Sequence, residues 1–434
     1  MWTSEPPFDC TATPWRWRTP CFKGARTTQQ LQMRILHVTP YYEGAWAYGG
    51  IPRAAAAAVR GLVARGHRVT VCTTDACRAG ARLPAEERPV TPSDDAIDIR
   101  VFPNLSNAAA YHLQFFLPLG LGAYLRKNAG SFDIAHLHGC HHVPGSVAAR
   151  YLRAAGVPYV LTPNGTAPYI ERRHTAKRIF DATIGRRMLT GAVRLIAVSR
   201  AEHKQLVDFG VPGSKISVIP NPLDVSEFDA IPKGRFRARY GLRDDQPLVM
   251  YLGKLTPRKR LDTLIEAFAG MQHPTATLVI AGNDMGYARE LTALIARFGV
   301  GDRTLLTGLL PGAERLAALA DADVVAYASE LEVFGLVPVE ALLCGTPVVV
   351  ADDNGCGEVI SETGGGLLVP PGEPRALAEA LRTILESPAH WRQRAAAARV
   401  GALRYSSENV SAALEELYSD ILTGGADLRL RTAV

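Results

Sequence analysis

The 434-residue chain holds no run of the roughly 18 to 20 uninterrupted apolar residues that a helical membrane span requires. Its best stretch, Leu113 to Leu125, is shorter and contains Gln114 and Pro118, so an integral membrane protein is not expected. Cysteine is scarce: seven residues, at 10, 21, 72, 77, 140, 344 and 356, with no Cys-x-x-Cys pair. An odd, scattered set reads as free thiols in a reducing compartment, hence a cytoplasmic location. No Gly-x-Gly-x-x-Gly follows the first apolar strand, and no Walker phosphate loop occurs anywhere, which argues against a dinucleotide oxidoreductase and a P-loop enzyme. What is present is 47% hydrophobic and 21% charged residues, a balance that excludes disorder for the bulk of the chain. At roughly 150 residues per domain, the length suggests two or three domains.

Residues 1–32 differ from the rest, with Pro at 6, 7, 14 and 20, Trp at 2, 15 and 17, and no periodicity. They lack the continuous apolar core of a signal peptide and read as a flexible or wrongly assigned extension, with Met33 the natural start. From Met33 the pattern is apolar strand, loop, helical stretch, repeated, which predicts parallel sheets with crossover helices. Strands are expected at Met33–Thr39, Val69–Thr73, Ile134–Leu137, Tyr159–Thr162, Arg194–Val198 and Ile216–Ile219. A second series is expected at Leu248–Leu252, Thr277–Ala281, Thr304–Thr307, Val324–Ala328 and Pro347–Ala351. Pro220-Asn221-Pro222 interrupts the pattern, and the irregular segment Leu223–Asp245 reads as a hinge. This divides the chain into a first α/β domain over 33–222, a second over 223–405, a helix over 406–422 free to pack elsewhere, and a loose tail over 423–434.

The net charge of +6 is modest, but it is concentrated: Glu171–Lys204 holds nine Lys or Arg against three acids. An anionic membrane surface would be attracted there, and so would nucleic acid, although no nucleic-acid motif accompanies the charge and a solvated helix face looks the same. Tyr111–Tyr124, rich in Phe and Leu, reads as an ordinary core helix, with contact to a lipid as the alternative. The run His136-Leu137-His138-Gly139-Cys140-His141-His142 holds zinc-ligand types, but no second ligand set is apparent, and no metal or cofactor is expected.

In open parallel sheets, ligands bind beyond the carboxyl ends of the strands. After Leu248–Leu252 comes Gly253-Lys254-Leu255-Thr256-Pro257-Arg258-Lys259-Arg260, a glycine turn and four cations leading into a helix, which suits a diphosphate. After Val324–Ala328 comes Ser329-Glu330-Leu331-Glu332-Val333-Phe334-Gly335-Leu336-Val337-Pro338-Val339-Glu340. Its two carboxylates, Glu332 and Glu340, fall at the same strand-end crevice, where each can accept hydrogen bonds from vicinal hydroxyls. Gly335 lets the backbone amides of the helix start approach a ligand. By spacing alone, a helix acid plus a surface acid is an equal reading.

These motifs, together with Pro220-Asn221-Pro222-Leu223-Asp224, Gly49-Gly50-Ile51-Pro52-Arg53, Thr162-Pro163-Asn164-Gly165, Ala281-Gly282-Asn283-Asp284 and Thr307-Gly308-Leu309, resemble the retaining nucleotide-sugar glycosyltransferases of family 4. The resemblance spans about Met33 to Leu422 and implies the GT-B fold: two Rossmann-like, doubly wound parallel-sheet domains facing across a cleft, an α/β class. Arg404-Tyr405-Ser406 and the final helix resemble the segment that crosses back to the first domain. The resemblance implies that Glu340 binds the ribose of a nucleoside-diphosphate sugar and that Glu332 holds hydroxyls of the donor sugar. Lys254 and Lys259, with Arg258 beside them, would neutralise the departing diphosphate. Gly50, Gly253, Gly282, Asn283, Leu309, Phe334, Gly335 and Leu336 would complete the donor cradle, and His138 would lie at the cleft beside the acceptor. Configuration would be retained without a protein nucleophile, unlike the two-carboxylate retaining glycosidases.

Two positions depart from many members: Lys stands for Arg at Lys254, a point charge in place of a bidentate fork, and Asn stands for His at Asn164, near the donor sugar. The expected reaction is transfer of a hexose from a UDP- or GDP-sugar to a glycan or lipid-linked acceptor for cell-surface polysaccharide or lipopolysaccharide. The alternatives are synthesis of a small soluble glycoside and non-catalytic nucleotide-sugar binding.

Overall fold

Two parallel sheets organise the chain. A computed structural model describes residues 32–78, 80–84, 96–168, 178, 180, 185–229, 231–310 and 312–431, and Met33 to the C-terminus is one compact unit. The expected extension over 1–32 lies, but for Gln32, outside the described residues.

The first sheet comprises β1 (Arg34–Val38), β2 (Arg68–Thr74), β5 (Ile97–Phe102), β6 (Ile134–His138), β7 (Tyr159–Thr162), β8 (Arg194–Ala197) and β9 (Ile216–Val218). Their order is β5-β2-β1-β6-β7-β8-β9, with every pairing parallel. A short hairpin, β3 (Ala76–Arg78) and β4 (Ala81–Arg82), stands apart from it. The second sheet comprises β10 (Leu248–Leu252), β11 (Thr277–Ala281), β12 (Thr304–Gly308), β13 (Val324–Tyr327), β14 (Val348–Ala351) and β15 (Gly366–Val369). Its order, β12-β11-β10-β13-β14-β15, is again wholly parallel. Strand order reverses beside β1 in one sheet and beside β10 in the other, which opens a crevice at the strand ends. Central strands such as β10 and β11 are buried along their whole length, as continuous apolar runs in two-sided sheets must be. Among the described residues, no helix is long and apolar enough to cross a membrane.

Besides the short hairpin, two strands escape the sequence pattern. Ile97–Phe102 alternates apolar and charged residues and lies half-buried at the sheet edge, and Gly366–Val369 opens on glycine. The segment read as a hinge packs into the core of the second sheet's domain. Phe228 and Phe236 are buried in that domain's core, and Arg237 donates from Nη2 to Asp323 at 2.8 Å while its backbone amide donates to Asp321 at 3.1 Å. Buried aromatics and an ion pair override the irregular composition. The stretch Tyr111–Tyr124 is not one core helix either: helix Asn107–Leu113 stops at Gln114 in the left-handed region, an irregular turn carries Pro118, and helix Leu121–Asn128 follows Gly120.

The chain crosses between domains twice, and the crossings are paired. The Leu223 amide donates to the Tyr405 carbonyl at 2.8 Å, and the Ser407 amide to the Leu223 carbonyl at 2.7 Å. Helix Ser407–Arg431 then packs along helix Ile51–Ala64, burying Val410, Leu414 and Tyr418 in the first domain's core. It continues past Leu422.

Candidate active site

The loops after β10 and β13 bring the expected cations and carboxylates together. Glu332 is half-buried, its side chain 14% exposed, and one carboxylate oxygen pairs with Lys259 Nζ, which also donates to the Tyr327 hydroxyl at 2.7 Å. Burial alone would raise the Glu332 carboxyl, but Lys259, then Arg258 and Lys254, outweigh it and hold it at about 2. Glu332 is therefore a carboxylate throughout the working pH range, and its charge is matched within hydrogen-bond reach. Burial, reinforced by the Glu332 charge, pushes the Tyr327 hydroxyl well above its ordinary range, so it stays a neutral partner of Lys259.

The backbone around Glu332 is specialised. Leu331 sits at φ 53° and Gly335 at φ 74°. The Leu331 turn sends Glu330 to Arg260 on one side and Glu332 to Lys259 on the other. Gly335 is the N-cap of helix Leu336–Leu343 and has no side chain to cap it. A Cβ there would collide with Cys356 Sγ, so glycine is required by space as well as by φ. Phe334 is buried against Tyr405, with ring centroids 5.3 Å apart.

Gly253 and Gly282 lie back to back where the loops after β10 and β11 touch. A Cβ on Gly282 would fall inside the van der Waals shell of the Gly253 carbonyl oxygen. Gly282→Ala is expected to destabilise the protein by about 3 kcal/mol, since backbone must shift to admit the methyl group. An unchanged midpoint in urea unfolding would contradict this account.

Glu340 is only 2% exposed and is flanked by two guanidiniums. Arg53 Nη1, from the first domain, lies 3.3 Å from Oε1, and Arg315 Nη1 lies 2.5 Å from Oε2. Burial lowers the Arg53 pKa more than Glu340 raises it, and Arg53 also lies over Trp46, 5.7 Å from the ring centroid. Neither arginine was assigned a role from sequence: Arg53 was quoted only within its glycine motif, and Arg315 reads as a surface cation on an amphipathic helix.

The first domain meets these loops through its own glycines. A Cβ on Gly49 would lie 2.5 Å from Lys254 Cε, and one on Gly50 would lie 2.7 Å from Leu336 Cδ1. Gly50 thus sits against the start of helix Leu336–Leu343. Asn283 crosses the cleft: its Nδ2 donates to the Tyr111 hydroxyl at 2.6 Å and to the Ala47 carbonyl at 3.2 Å. Leu309 stands 43% exposed in the turn after β12.

Asn164 adopts φ 52°, and its Oδ1 accepts from Asn221 Nδ2 at 2.9 Å. A Cβ on the neighbouring Gly165 would touch Val333, which puts this loop beside the Glu332 loop. The loop is held by Glu202, whose carboxylate accepts from the Gly165 amide at 2.5 Å and the Val198 amide at 2.8 Å. Burial pushes the Glu202 carboxyl up to about 7 against those two hydrogen bonds.

His138 does not join this group. It is 4% exposed, its Nε2 is 3.0 Å from His37 Nδ1, and its ring stacks on His136 at 4.1 Å. His136 in turn bonds the Tyr418 hydroxyl at 2.7 Å and Thr162 Oγ1 at 2.6 Å. Burial pushes the His138 imidazole down to about 3 and holds His37 and His136 well below their ordinary value. These three are the described residues whose ligand atoms come close enough to share an ion, all within 4.8 Å. Their stacked rings and the His37–His138 hydrogen bond make them one neutral, buried cluster.

Part of the basic stretch lies outside the described residues, including 172, 173 and 177. Of the rest, Arg200 pairs with Glu362 at 2.8 Å on the second domain, and Lys204 with Asp208 at 2.7 Å. These cations hold the protein's own acids.

Two family models match this chain: "Glycosyltransferase Family 4" over residues 48–227 and "Glycosyl transferases group 1" over residues 232–400. A D-inositol 3-phosphate glycosyltransferase of Frankia alni is 32% identical over 311 residues, covering 66% of this chain and 75% of the relative. The chain belongs to the group 1 glycosyltransferases. A second D-inositol 3-phosphate glycosyltransferase, from Acidothermus cellulolyticus, is 28% identical and covers 91% of each chain. Among solved structures, Anabaena Alr3699/HepE in complex with UDP and glucose superposes with a TM-score of 0.69 at 23% identity, over 90% of this glycosyltransferase and 100% of that chain. Sucrose-phosphate synthase from Thermosynechococcus elongatus gives 0.70 at 21% identity, over 91% and 100%. These likenesses show the two-domain GT-B fold.

Proposed function

We propose that this glycosyltransferase moves a hexose from a nucleoside-diphosphate sugar to an acceptor hydroxyl with retention of configuration. The observation that carries the reading is the half-buried, ionised Glu332 clasped by Lys259 at the strand ends, eight residues before Glu340 and beside an uncapped helix start. In this reading residues 33–222 form the acceptor domain and residues 223–405 the donor domain.

The donor ribose takes the seat at Glu340 now held by Arg53, and the base lies against Leu309. The diphosphate meets Lys254, Arg258 and Lys259, with the amides of Phe334, Gly335 and Leu336 from one domain and Gly50 from the other. Gly253, Gly282 and Asn283 shape the floor, and Glu332 accepts hydrogen bonds from the sugar hydroxyls, with Asn164 across the cleft. The acceptor oxygen attacks the anomeric carbon as the bond to the diphosphate oxygen breaks, and the acceptor proton passes to that leaving phosphate. No protein group is needed as nucleophile, so the work of the site is stabilising charge that develops on the leaving group. UDP is favoured as the nucleotide, because the Anabaena protein of like fold was crystallised with UDP, and with UDP-glucose.

Two acceptor classes have support. A glycan or lipid-linked acceptor, for cell-surface polysaccharide, suits the apolar surface at the edge of the first domain. A small phosphorylated polyol suits the names of the relatives. The test is thermal stabilisation by a panel of UDP- and GDP-sugars, followed by nucleoside-diphosphate release with each acceptor class. A shift and release with one donor is the expected result. A folded protein that no donor stabilises would overturn the donor assignment, and binding without release would leave a nucleotide-sugar-binding protein.

A further inference from the structure

Arg315 is only 2% exposed, and arginine is almost never buried to that depth without a charged or polar partner. It stands on helix Gly312–Asp321, whose last residue accepts from the amides of Gly234, Phe236 and Arg237 at 2.6, 2.8 and 3.1 Å. The helix is thereby tied to the rest of the second sheet's domain. The guanidinium is held at two of its nitrogens: Nη1 lies 2.5 Å from Glu340 Oε2, and Nη2 donates to Glu227 Oε2 at 3.2 Å. Among the described residues, Arg315 Nε and Nη1 and Glu340 Oε2 are buried polar atoms without an aligned hydrogen bond. The contact between Arg315 and Glu340 is therefore one of charge.

Glu340 turns its two oxygens to different domains. Oε1 meets Arg53 of the first domain at 3.3 Å, and that arginine is still 24% exposed, whereas Oε2 faces inward to Arg315. A ligand entering from the cleft can replace only the first of these. Once Arg53 has given up Oε1 to ribose hydroxyls, Arg315 is the cation left on the buried carboxylate. Without it Glu340 would carry an uncompensated charge, which is costly in a site closed to water. The tie to Glu227 also stops the guanidinium from following Glu340, so the carboxylate is anchored to a fixed point.

We infer that Arg315 is a positioning residue: it holds Glu340 with Oε1 turned to the cleft for the vicinal hydroxyls of the donor ribose, and so sets the preference of the site for ribose over 2′-deoxyribose. A hydroxyl that donates to a carboxylate makes a charge-assisted bond, roughly twice as strong as a neutral one, so the preference depends on Glu340 staying ionised and in place. The inference rests on the proposed ribose seat at Glu340 and extends it to a residue that reaches the ribose through Glu340 alone.

The test is isothermal titration of the full chain with UDP and GDP, and with dUDP and dGDP, for the wild type, Arg315→Gln, Arg315→Lys and Glu340→Gln. The wild type is expected to bind the ribonucleotide of its own base about ten-fold more tightly than the deoxy form, the value of one hydrogen bond to a charged group. Arg315→Gln should bring that ratio to about three-fold, the value of a neutral hydrogen bond, by weakening the ribonucleotide alone. Arg315→Lys keeps the charge but loses the planar guanidinium that reaches Glu340 and Glu227 together, so its ratio should fall between the two. A merely structural loss would weaken both nucleotides together and leave the ratio as it was. Should the glutamine variant fail to fold, Arg315→Lys decides the matter. A wild-type ratio in the folded Arg315 variants overturns the inference. Glu340→Gln tells the two failures apart: if it abolishes a preference that the Arg315 variants keep, the ribose seat stands and only the inference falls. If it keeps the preference, or if the wild type has none, the seat is wrong and the inference falls with it.

Discussion

Replacing Glu332 with glutamine is expected to lower kcat/KM for sugar transfer by about 10²- to 10³-fold, the usual cost of removing one well-placed group from a transition state. The proposed role of the carboxylate is to accept hydrogen bonds from donor-sugar hydroxyls as the ring gains positive character, and a neutral amide does this more weakly. Nucleoside-diphosphate affinity should change little, because the proposed holders of ribose and phosphate are Glu340, Lys254 and backbone amides. The amide also still accepts from Lys259, so the fold should survive. Glu332→Ala is a different experiment: it leaves the buried Lys259 ammonium with only the Tyr327 hydroxyl, and an unpaired buried charge costs roughly 3–5 kcal/mol. The two variants therefore separate catalysis from stability. With its carboxyl held at about 2, Glu332 should add no inflection to the rate profile above pH 4. Wild-type turnover in folded Glu332→Gln protein would remove this residue from the reaction.

Much of this site was legible in sequence because its parts are local. Glycine turns, the cations after β10 and the two carboxylates eight apart each sit in one loop, and parallel-sheet topology places such loops together at the strand ends. Tyr159–Thr162, Leu248–Leu252 and Thr277–Ala281 were legible to the residue, as uninterrupted apolar runs bounded by turns. What escaped depends on pairings distant along the chain. Arg53 and Glu340 are 287 positions apart, and nothing in either's surroundings announces that an arginine of the first domain sits on that carboxylate. His37 and His138 are 101 apart, and the histidine-rich run suggested a cleft until the register of β1 against β6 put His37 beside His136 and closed the cluster inside the core. The apolar segment near residue 113 was misread for a complementary reason: composition alone cannot say whether a Leu or Phe faces in or out, and a left-handed Gln114 decided it.

That buried histidine cluster gives the second large effect, a steep loss of stability in acid. His37, His136 and His138 lie against one another under Tyr418, and His142 caps the following helix with its own ring buried. All four are held below their ordinary value, chiefly by burial, His138 at about 3 and His142 at about 4. Unfolded, each titrates near 6.5. Below that pH the unfolded chain binds protons that the folded chain refuses, so the stability these groups contribute is complete above pH 6.5 and is lost as pH falls toward 3. Each group changes the unfolding free energy by up to about 1.4 kcal/mol per pH unit, so four acting together can exhaust an ordinary margin of about 5–15 kcal/mol. Glu202 works the other way. Its carboxyl, raised to about 7, favours the folded state below pH 4.5 and loses that contribution as pH rises through 7. Against it stand these four and His67, likewise lowered chiefly by burial, so the slope stays positive, and urea unfolding from pH 7 to pH 5 should show a fall of several kcal/mol. His37→Asn should flatten that dependence by about one proton whatever it does to stability at pH 7, a change that lost packing alone would not produce. A stability independent of pH between 5 and 7 would mean that the cluster is already charged or open to water, and the buried, neutral arrangement would have to be abandoned.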